Sequence, residues 1–332
     1  MKISEIASLA GVSPAAVSRY LNGGSISEEK KVKIRKVIEE TGYVPNVTAR
    51  SLRQQRSNSI GVIVPKINSD SVSNLMEGVS SVLSTSGYLT IFGNAGNDRK
   101  QELDYLRMMQ EVKLAGIILM GTVLTPAHIR FFKESEIPIV VCGQNHSSVS
   151  CIFHDDRRAA REITRHIISK GRKNLAYVGA VEADVSVGLN RRLGVEEAMR
   201  EAGMDPDGLA RTQVFFTVEE GCRGMKGILD GGFVPDGVIC ATDTLAVGAM
   251  KALKERGLKI PGDVSVGGIG GGLAGTIISP ALTTVQLFHR ESGEKAAQLL
   301  LSMIDYNRKH SGEKLPLTHT MLGYRLIERE SV

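Results

Sequence analysis

The stretch Ile3-Ser4-Glu5-Ile6-Ala7-Ser8-Leu9-Ala10-Gly11-Val12-Ser13-Pro14-Ala15-Ala16-Val17-Ser18-Arg19-Tyr20-Leu21-Asn22 decides how this chain is read. Its apolar residues form two short helical runs on either side of Gly11-Val12-Ser13. Ser4 is placed to cap the first helix, with Glu5 favoured in its first turn. Gly11 stands where a helix leaves through the left-handed conformation. Ser13 is placed to cap the second helix, and Pro14 suits its first position. Ile6, Ala7, Ala10, Val17 and Leu21 supply the small and branched contacts that hold two crossed helices. That geometry lets the second helix enter a DNA major groove. A surface helical hairpin without that use is the plain alternative, and the next thirty residues speak against it.

A third helix is expected from Ser27 through Glu40, led by Glu28 and Glu29, with Ile34, Val37 and Ile38 as its apolar stripe. Gly42 ends it. Tyr43-Val44-Pro45-Asn46-Val47-Thr48-Ala49-Arg50-Ser51-Leu52-Arg53 follows. With this stretch the sequence resembles the LacI/GalR family of bacterial transcription repressors. The matching runs are Ile6-Ala7, Ala10-Gly11-Val12-Ser13, Val17-Ser18-Arg19, Leu21-Asn22, Gly42-Tyr43-Val44-Pro45-Asn46 and Ala49-Arg50-Ser51-Leu52, followed by Ile60-Gly61-Val62-Ile63-Val64-Pro65. The order of these runs makes the match specific, and it covers essentially the whole chain.

At 332 residues the chain suits two or three domains. Its hydrophobic fraction of 42% supports a substantial core. No apolar run reaches transmembrane length and no secretion signal opens the chain, so a cytoplasmic protein with no membrane partner is expected. Cys142, Cys151, Cys222 and Cys240 form no CxxC pair and have no histidine at metal spacing. They read as reduced structural thiols. Residues 1–59 hold 10 Lys and Arg against 5 acids, of chain totals of 41 and 36, so the net charge of +5 lies wholly in this segment. A basic head on a neutral body is what binding to a phosphate backbone needs.

From residue 60 onward, short apolar runs alternate with amphipathic segments. Strands are expected at 60–64, 89–92, 116–120, 137–142, 174–178, 237–241 and 264–269. Helices are expected at 71–86, 99–110, 157–170, 191–202, 219–229, 244–256 and 290–306. Alternating βα units imply parallel sheets covered on both faces. There are too many units for one sheet, and a break near 155–157 suggests two lobes. The fold class is therefore α/β, with a small all-α head. The resemblance implies a body like a periplasmic binding protein, two lobes joined by crossover strands. The head with its hinge is taken as 1–59 and the body as 60–332. Lobe 1 is taken as 60–156 with 288–317, and lobe 2 as 157–287 with 318–332. Ligands in such sheets bind at the carboxyl ends of the strands.

The second helix is expected to present Pro14, Ala15, Ala16 and Arg19 to base edges. Arg19 suits a bidentate guanine contact, and the two alanines suit thymine methyl groups. Ser13, Ser18 and Asn22 are short polar groups suited to phosphate oxygens. The segment 46–53 is too short to be a stable helix alone. The resemblance implies that Asn46, Ala49, Arg50 and Leu52 belong to a hinge helix formed on operator DNA beside its twin, with Leu52 wedged into the minor groove. Residues 54–59 are linker-like, so disorder off DNA and helix on it are compatible.

In the body, the resemblance places Arg191 in an effector cleft, where a guanidinium clamps hydroxyls or an anionic group. Asp243 ends a buried strand; it reads as a helix cap, and also as an acceptor for two vicinal sugar hydroxyls. Phe216 falls where the family often has an aromatic that stacks on the ligand, a core Phe being the alternative. Lys66, Asn68, Ser69, Asp70 and Ser71 follow the first strand and would line the other lobe, with Gln144, Asp155 and Gly270 completing the set; His154 lies near the crossover. Two positions depart from the family pattern. Gly268-Ile269-Gly270-Gly271-Gly272 lacks its usual aspartate, and Gln144 stands where Arg is frequent. Runs such as Cys240-Ala241-Thr242-Asp243-Thr244 resemble trehalose-type repressors, so the expected effector is a disaccharide or a sugar phosphate, with sucrose an equal rival.

Gly270-x-Gly272-x-x-Gly275 fits a dinucleotide motif formally, but Pro280 interrupts the helix such a site needs. No P-loop, HExxH or GxSxG is present, and no cofactor, metal or catalytic nucleophile is expected. The expected partners are operator DNA, a small effector and a second copy of the chain. A dimer is favoured because no heptad tail follows the last strand. The rival reading is a sugar-binding or sugar-modifying protein with an incidental basic head.

Overall fold

The structure, a computed structural model, describes residues 1–21, 24–43, 57–310, 313 and 315–332. It divides into two units, Met1–Arg56 and Ser57–Val332.

The first unit contains α1 (Ile3–Leu9), α2 (Pro14–Leu21) and α3 (Glu28–Thr41). Gly11 and Gly42 have φ of +63° and +61°, the left-handed exits expected after α1 and α3. Ser13 Oγ accepts the Ala16 amide at 3.2 Å, capping α2. Ser4 is not the cap of α1. The helix starts two residues earlier, with Lys2 at the cap position, and Glu5 Oε2 accepts the Lys2 amide at 2.9 Å. Ile6, Ala7, Ala10, Val17, Ile34 and Val37 form the core of this small unit.

The described residues of the body form two six-stranded sheets. In lobe 1 these strands are β1 (Ser59–Val64), β2 (Leu89–Asn94), β3 (Gly116–Met120), β4 (Ile139–Cys142), β5 (Ser150–His154) and β11 (His319–Leu322). They are all parallel, in the order β11-β5-β4-β3-β1-β2. Helices α4 (Asp70–Leu83), α5 (Arg99–Glu111), α6 (Pro126–Glu134) and α12 (His289–Lys309) cover this sheet. In lobe 2 the strands are β6 (Leu175–Gly179), β7 (Ala210–Gln213), β8 (Gly237–Cys240), β9 (Ser265–Gly270), β10 (Thr283–Leu287) and β12 (Tyr324–Ile327). Their order is β12-β10-β9-β8-β6-β7, with only the β10–β12 pair antiparallel. Helices α7 (Asp156–Ser169), α8 (Arg191–Glu201), α9 (Val218–Asp230) and α10 (Asp243–Glu255) pack on it, and a four-residue α11 (Ala274–Ile277) follows β9.

Three single residues carry the chain between lobes: Asp155 after β5, Phe288 after β10 and Gly323 between β11 and β12. The lobe boundary expected at 317/318 is therefore corrected to Gly323. Residues 319–322 pair in register with Cys151–His154 of lobe 1, and Leu322 joins that lobe's core. Lobe 1 depends on one backbone approach in particular. A Cβ on Gly78 of α4 would lie 2.0 Å from the Arg290 carbonyl oxygen, and one on Gly293 of α12 would lie 2.1 Å from that of Leu75. Only glycine at both positions lets these helices touch. The four cysteines are free and buried. Among the described residues, no helix is long and apolar enough to cross a membrane.

Candidate functional site

The head offers one face of α2. Pro14, Ala15 and Arg19 are exposed along it, and Ser18 is half-buried beside them. Ala16 is only 6% exposed, so the expectation that it faces base edges is corrected. Like Val17 beside it, Ala16 is buried. Ser13 is exposed, with its hydroxyl used on the helix cap. Asn22, Asn46, Ala49, Arg50 and Leu52 lie outside the described residues.

In the body, a cavity of about 180 Å³ lies at the carboxyl ends of the strands, walled by both lobes. Its position follows from the topology: each strand end opens into a loop, and the single-residue crossovers bring the two sets of loops face to face. Lys66, Ser69, Asp70, Ser71, Gln144, Arg191, Phe216, Asp243 and Gly270 all line it. Asn68 and Asp155 do not. Asn68 is exposed, and the Asp155 carboxylate turns back to cap α7, accepting the Arg158 amide at 3.2 Å.

The wall also contains Asp156, Asp184 and His289, which the sequence reading did not select, and His154, which it placed only near the crossover. Asp156 explains Arg191. Both are buried, Nε and Nη2 of Arg191 lie 2.7 and 2.6 Å from Asp156 Oδ1, and Nη1 donates to the Ala241 carbonyl. The guanidinium is thus tied into the wall. Asp184 Oδ1 accepts from Gln144 Nε2 at 2.8 Å and from the Val187 amide at 3.0 Å, capping the π-helical turn Val185–Asn190. Burial pushes its carboxyl up to about 6. Asp243 Oδ1 accepts from Thr284 Oγ1 at 2.5 Å and Oδ2 from the Gly272 amide at 2.7 Å. Burial raises this carboxyl too. The cap of α10 is Thr242, whose Oγ1 accepts the Leu245 amide at 3.3 Å, so Asp243 is free of the capping role expected for it.

The amides of the glycine turn are directed at carboxylates. Gly270 and Gly271 have φ of +150° and +78°, which allows the turn to fold over Asp243. The Gly270-x-Gly272-x-x-Gly275 run therefore frames an internal carboxylate, with only the short α11 behind it.

Among the described residues, hydrogen bonds join four residue pairs from lobe to lobe. Lys66 Nζ donates to the Phe216 carbonyl at 2.8 Å, the Leu273 amide donates to Asp70 Oδ2 at 2.9 Å, and Gln144 meets Asp184 and Ser186. His154 and His289 flank two of the crossovers with ring centroids 5.1 Å apart. Burial lowers both imidazoles, His289 well below its ordinary value. Nε2 of His154 finds no hydrogen-bond partner among the described residues.

Comparison with known proteins agrees with both parts. Residues 2–46 match the model of bacterial regulatory proteins of the lacI family, and residues 164–332 match that of a periplasmic binding protein-like domain. The HTH-type transcriptional regulator RegA of Clostridium saccharobutylicum is 32% identical, over 99% of this chain and 98% of that protein. The sucrose operon repressor of Staphylococcus xylosus is 30% identical, over 92% and 94%. The lac repressor dimer bound to operator and an anti-inducer shares the fold, with a TM-score of 0.86 at 20% identity, over 100% of this chain and 98% of that one. A three-helix head, a two-lobed body with a cavity at its strand ends, and this degree of likeness along the whole length have one explanation: the chain belongs to the lacI family of bacterial regulatory proteins.

Proposed function

We propose that this transcription regulator binds a pseudo-palindromic operator as a homodimer and that a saccharide held between its lobes sets the affinity. The observation that carries the reading is the cavity itself, whose walls come from both lobes and whose mouth is crossed by direct hydrogen bonds between them. A molecule bound there interacts differently with different lobe angles, which is what coupling to DNA requires.

Arg19 reads guanine, Pro14 and Ala15 contact thymine methyl groups, and Ser18 holds phosphate. Asp184 and Asp243 accept ligand hydroxyls, Phe216 offers a ring face, and Ser69, Ser71 and Gln144 supply further polar contacts. Lys66 and Asp70 tie the lobes. A homodimer is supported by the edge strand β2, where Leu89, Ile91 and Phe92 are exposed, as are Met108 and Val112 of the same lobe. The protein acts in the cytoplasm, beside the DNA.

The test is selection of bound fragments from genomic DNA by the purified chain, repeated with sucrose, trehalose or cellobiose present. A recovered two-fold-symmetric site whose occupancy changes with one sugar, and which an Arg19→Ala variant no longer selects, supports the reading. Failure to enrich any sequence removes it and favours a saccharide-binding protein with an incidental head.

A further inference from the structure

Both cationic side chains of the cavity wall are already engaged by oxygens of the protein. Arg191 is bound to Asp156 and to the Ala241 carbonyl. Lys66 donates to the Phe216 carbonyl. Successive backbone amides at a glycine turn form a natural phosphate cradle, but here Gly272 donates to Asp243 and Leu273 to Asp70. Burial holds His154 and His289 on the uncharged side.

The remaining charge on the wall is negative or nil. Four carboxylates, Asp70, Asp156, Asp184 and Asp243, face two cations, Lys66 and Arg191. Burial favours the protonated forms of Asp184 and Asp243. With both protonated, Asp70 and Asp156 still cancel Lys66 and Arg191. The wall therefore has no protonation state near neutrality with a positive surplus.

From this we propose that the effector is an uncharged saccharide and that the cavity rejects its phosphorylated form. The inference rests on the saccharide reading above and narrows it. A phosphate monoester brings a charge of about −1.5 to −2. Inside this wall it would leave water for a site where Arg191 is already paired to a carboxylate and Lys66 already donates to a carbonyl, beside buried carboxylates. Hydroxyl groups suit the same surroundings. Asp184 uses Oδ1 for Gln144 and Val187, which leaves Oδ2 to accept from a ligand donor.

Calorimetry on the full chain at pH 7.5 with two matched pairs tests this: sucrose against sucrose 6-phosphate, and trehalose against trehalose 6-phosphate. The free member of a pair is expected to bind about 100-fold more tightly than the phosphorylated one, a ratio set by like-charge repulsion and the lost hydration of the phosphate. In Asp184→Asn the ratio narrows about tenfold, because one wall charge is gone. A phosphorylated sugar that binds within tenfold of its free partner, or more tightly, overturns the proposal. So does a ratio that Asp184→Asn leaves unchanged. If none of the four compounds binds the wild-type chain, the saccharide reading itself falls and this inference falls with it. The two failures are thus told apart in the wild-type data alone.

Discussion

Replacing Asp184 by asparagine should make the protein more stable at neutral pH. Asp184 is 2% exposed, and burial moves its carboxyl from 3.8 to about 6. A native carboxyl with a raised pKa binds protons that the unfolded chain has already released, so stability falls as pH rises between these values. Below pH 3.8 the group costs nothing; above about 6 the full penalty applies. That penalty is about 3 kcal/mol, at about 1.4 kcal/mol for each tenfold change in proton affinity. An asparagine oxygen can still accept from Gln144 Nε2 and the Val187 amide, so the geometry survives while the charge is lost. Urea denaturation of the variant and the wild type should give a stability gap of about 3 kcal/mol at pH 8 and about 1 kcal/mol at pH 4.5. In a thermal melt the pH 8 gap corresponds to a gain of about 6 °C or more. The same variant should bind saccharide less well, since it lines the cavity. A variant that is no more stable than wild type at pH 8, or a gap independent of pH, would refute the reasoning.

Three further outcomes follow from the packing. The buried imidazoles of His154 and His289 have lowered pKa values, so the stability they allow is present above pH 6.5 and lost as pH falls toward their folded values. A His154→Phe/His289→Phe variant should lose that acid sensitivity, and removal of the unpartnered Nε2 should leave stability at pH 8 equal or higher by about 1–3 kcal/mol; a marked drop at pH 8 would show a structural role instead. Ile34→Ala in the head should cost about 2–5 kcal/mol, because this fully buried side chain anchors a small core. Hydrogen exchange should then show lost protection in α1–α3 and unchanged protection in the body. Gly78→Ala should destabilise the body by at least about 2 kcal/mol in denaturation, since the new methyl meets the Arg290 carbonyl and forces α4 from α12.

Much of this molecule is legible in its residues, for identifiable reasons. Gly11, Ser13 and Gly42 specify helix ends by local chemistry, and the structure places them so. The central strands β1, β3 and β8 read as apolar runs because both of their faces are covered. Five strands escaped notice. β7 (Ala-Arg-Thr-Gln), β11 (His-Thr-Met-Leu) and β12 (Tyr-Arg-Leu-Ile) are weakly patterned edge strands, and the buried β5 (Ser-Cys-Ile-Phe-His) and β10 (Thr-Thr-Val-Gln-Leu) are short and carry polar residues at their ends or within them. The helix α6 also escaped, although Thr125-Pro126 marks its start. In the cavity, Phe216 is legible through resemblance, and Lys66 and Asp243 through their places just after apolar strands. Asp156 was missed by one residue, because sequence does not tell which of two adjacent aspartates caps a helix and which turns inward. The available signal for Asp184 was an aspartate heading a turn that ends at Arg191, and it went unused. Nor does sequence reveal that Arg191 is neutralised from within, because the partner lies 35 residues away.

The three single-residue crossings have a bearing on how the protein is made. Lobe 2 has five of its six strands within one continuous stretch, from β6 to β10, and awaits only the edge strand β12. Lobe 1 is interrupted: its long helix α12 and its edge strand β11 emerge only after nearly all of lobe 2 has been synthesised. On the ribosome, the first sheet therefore begins with the Gly78 surface of α4 and the outer edge of β5 uncovered, and the later lobe can close first. The unit that senses the ligand is completed from its C-terminal end, so a chain cut before His319 would leave both lobes unfinished rather than one lobe intact.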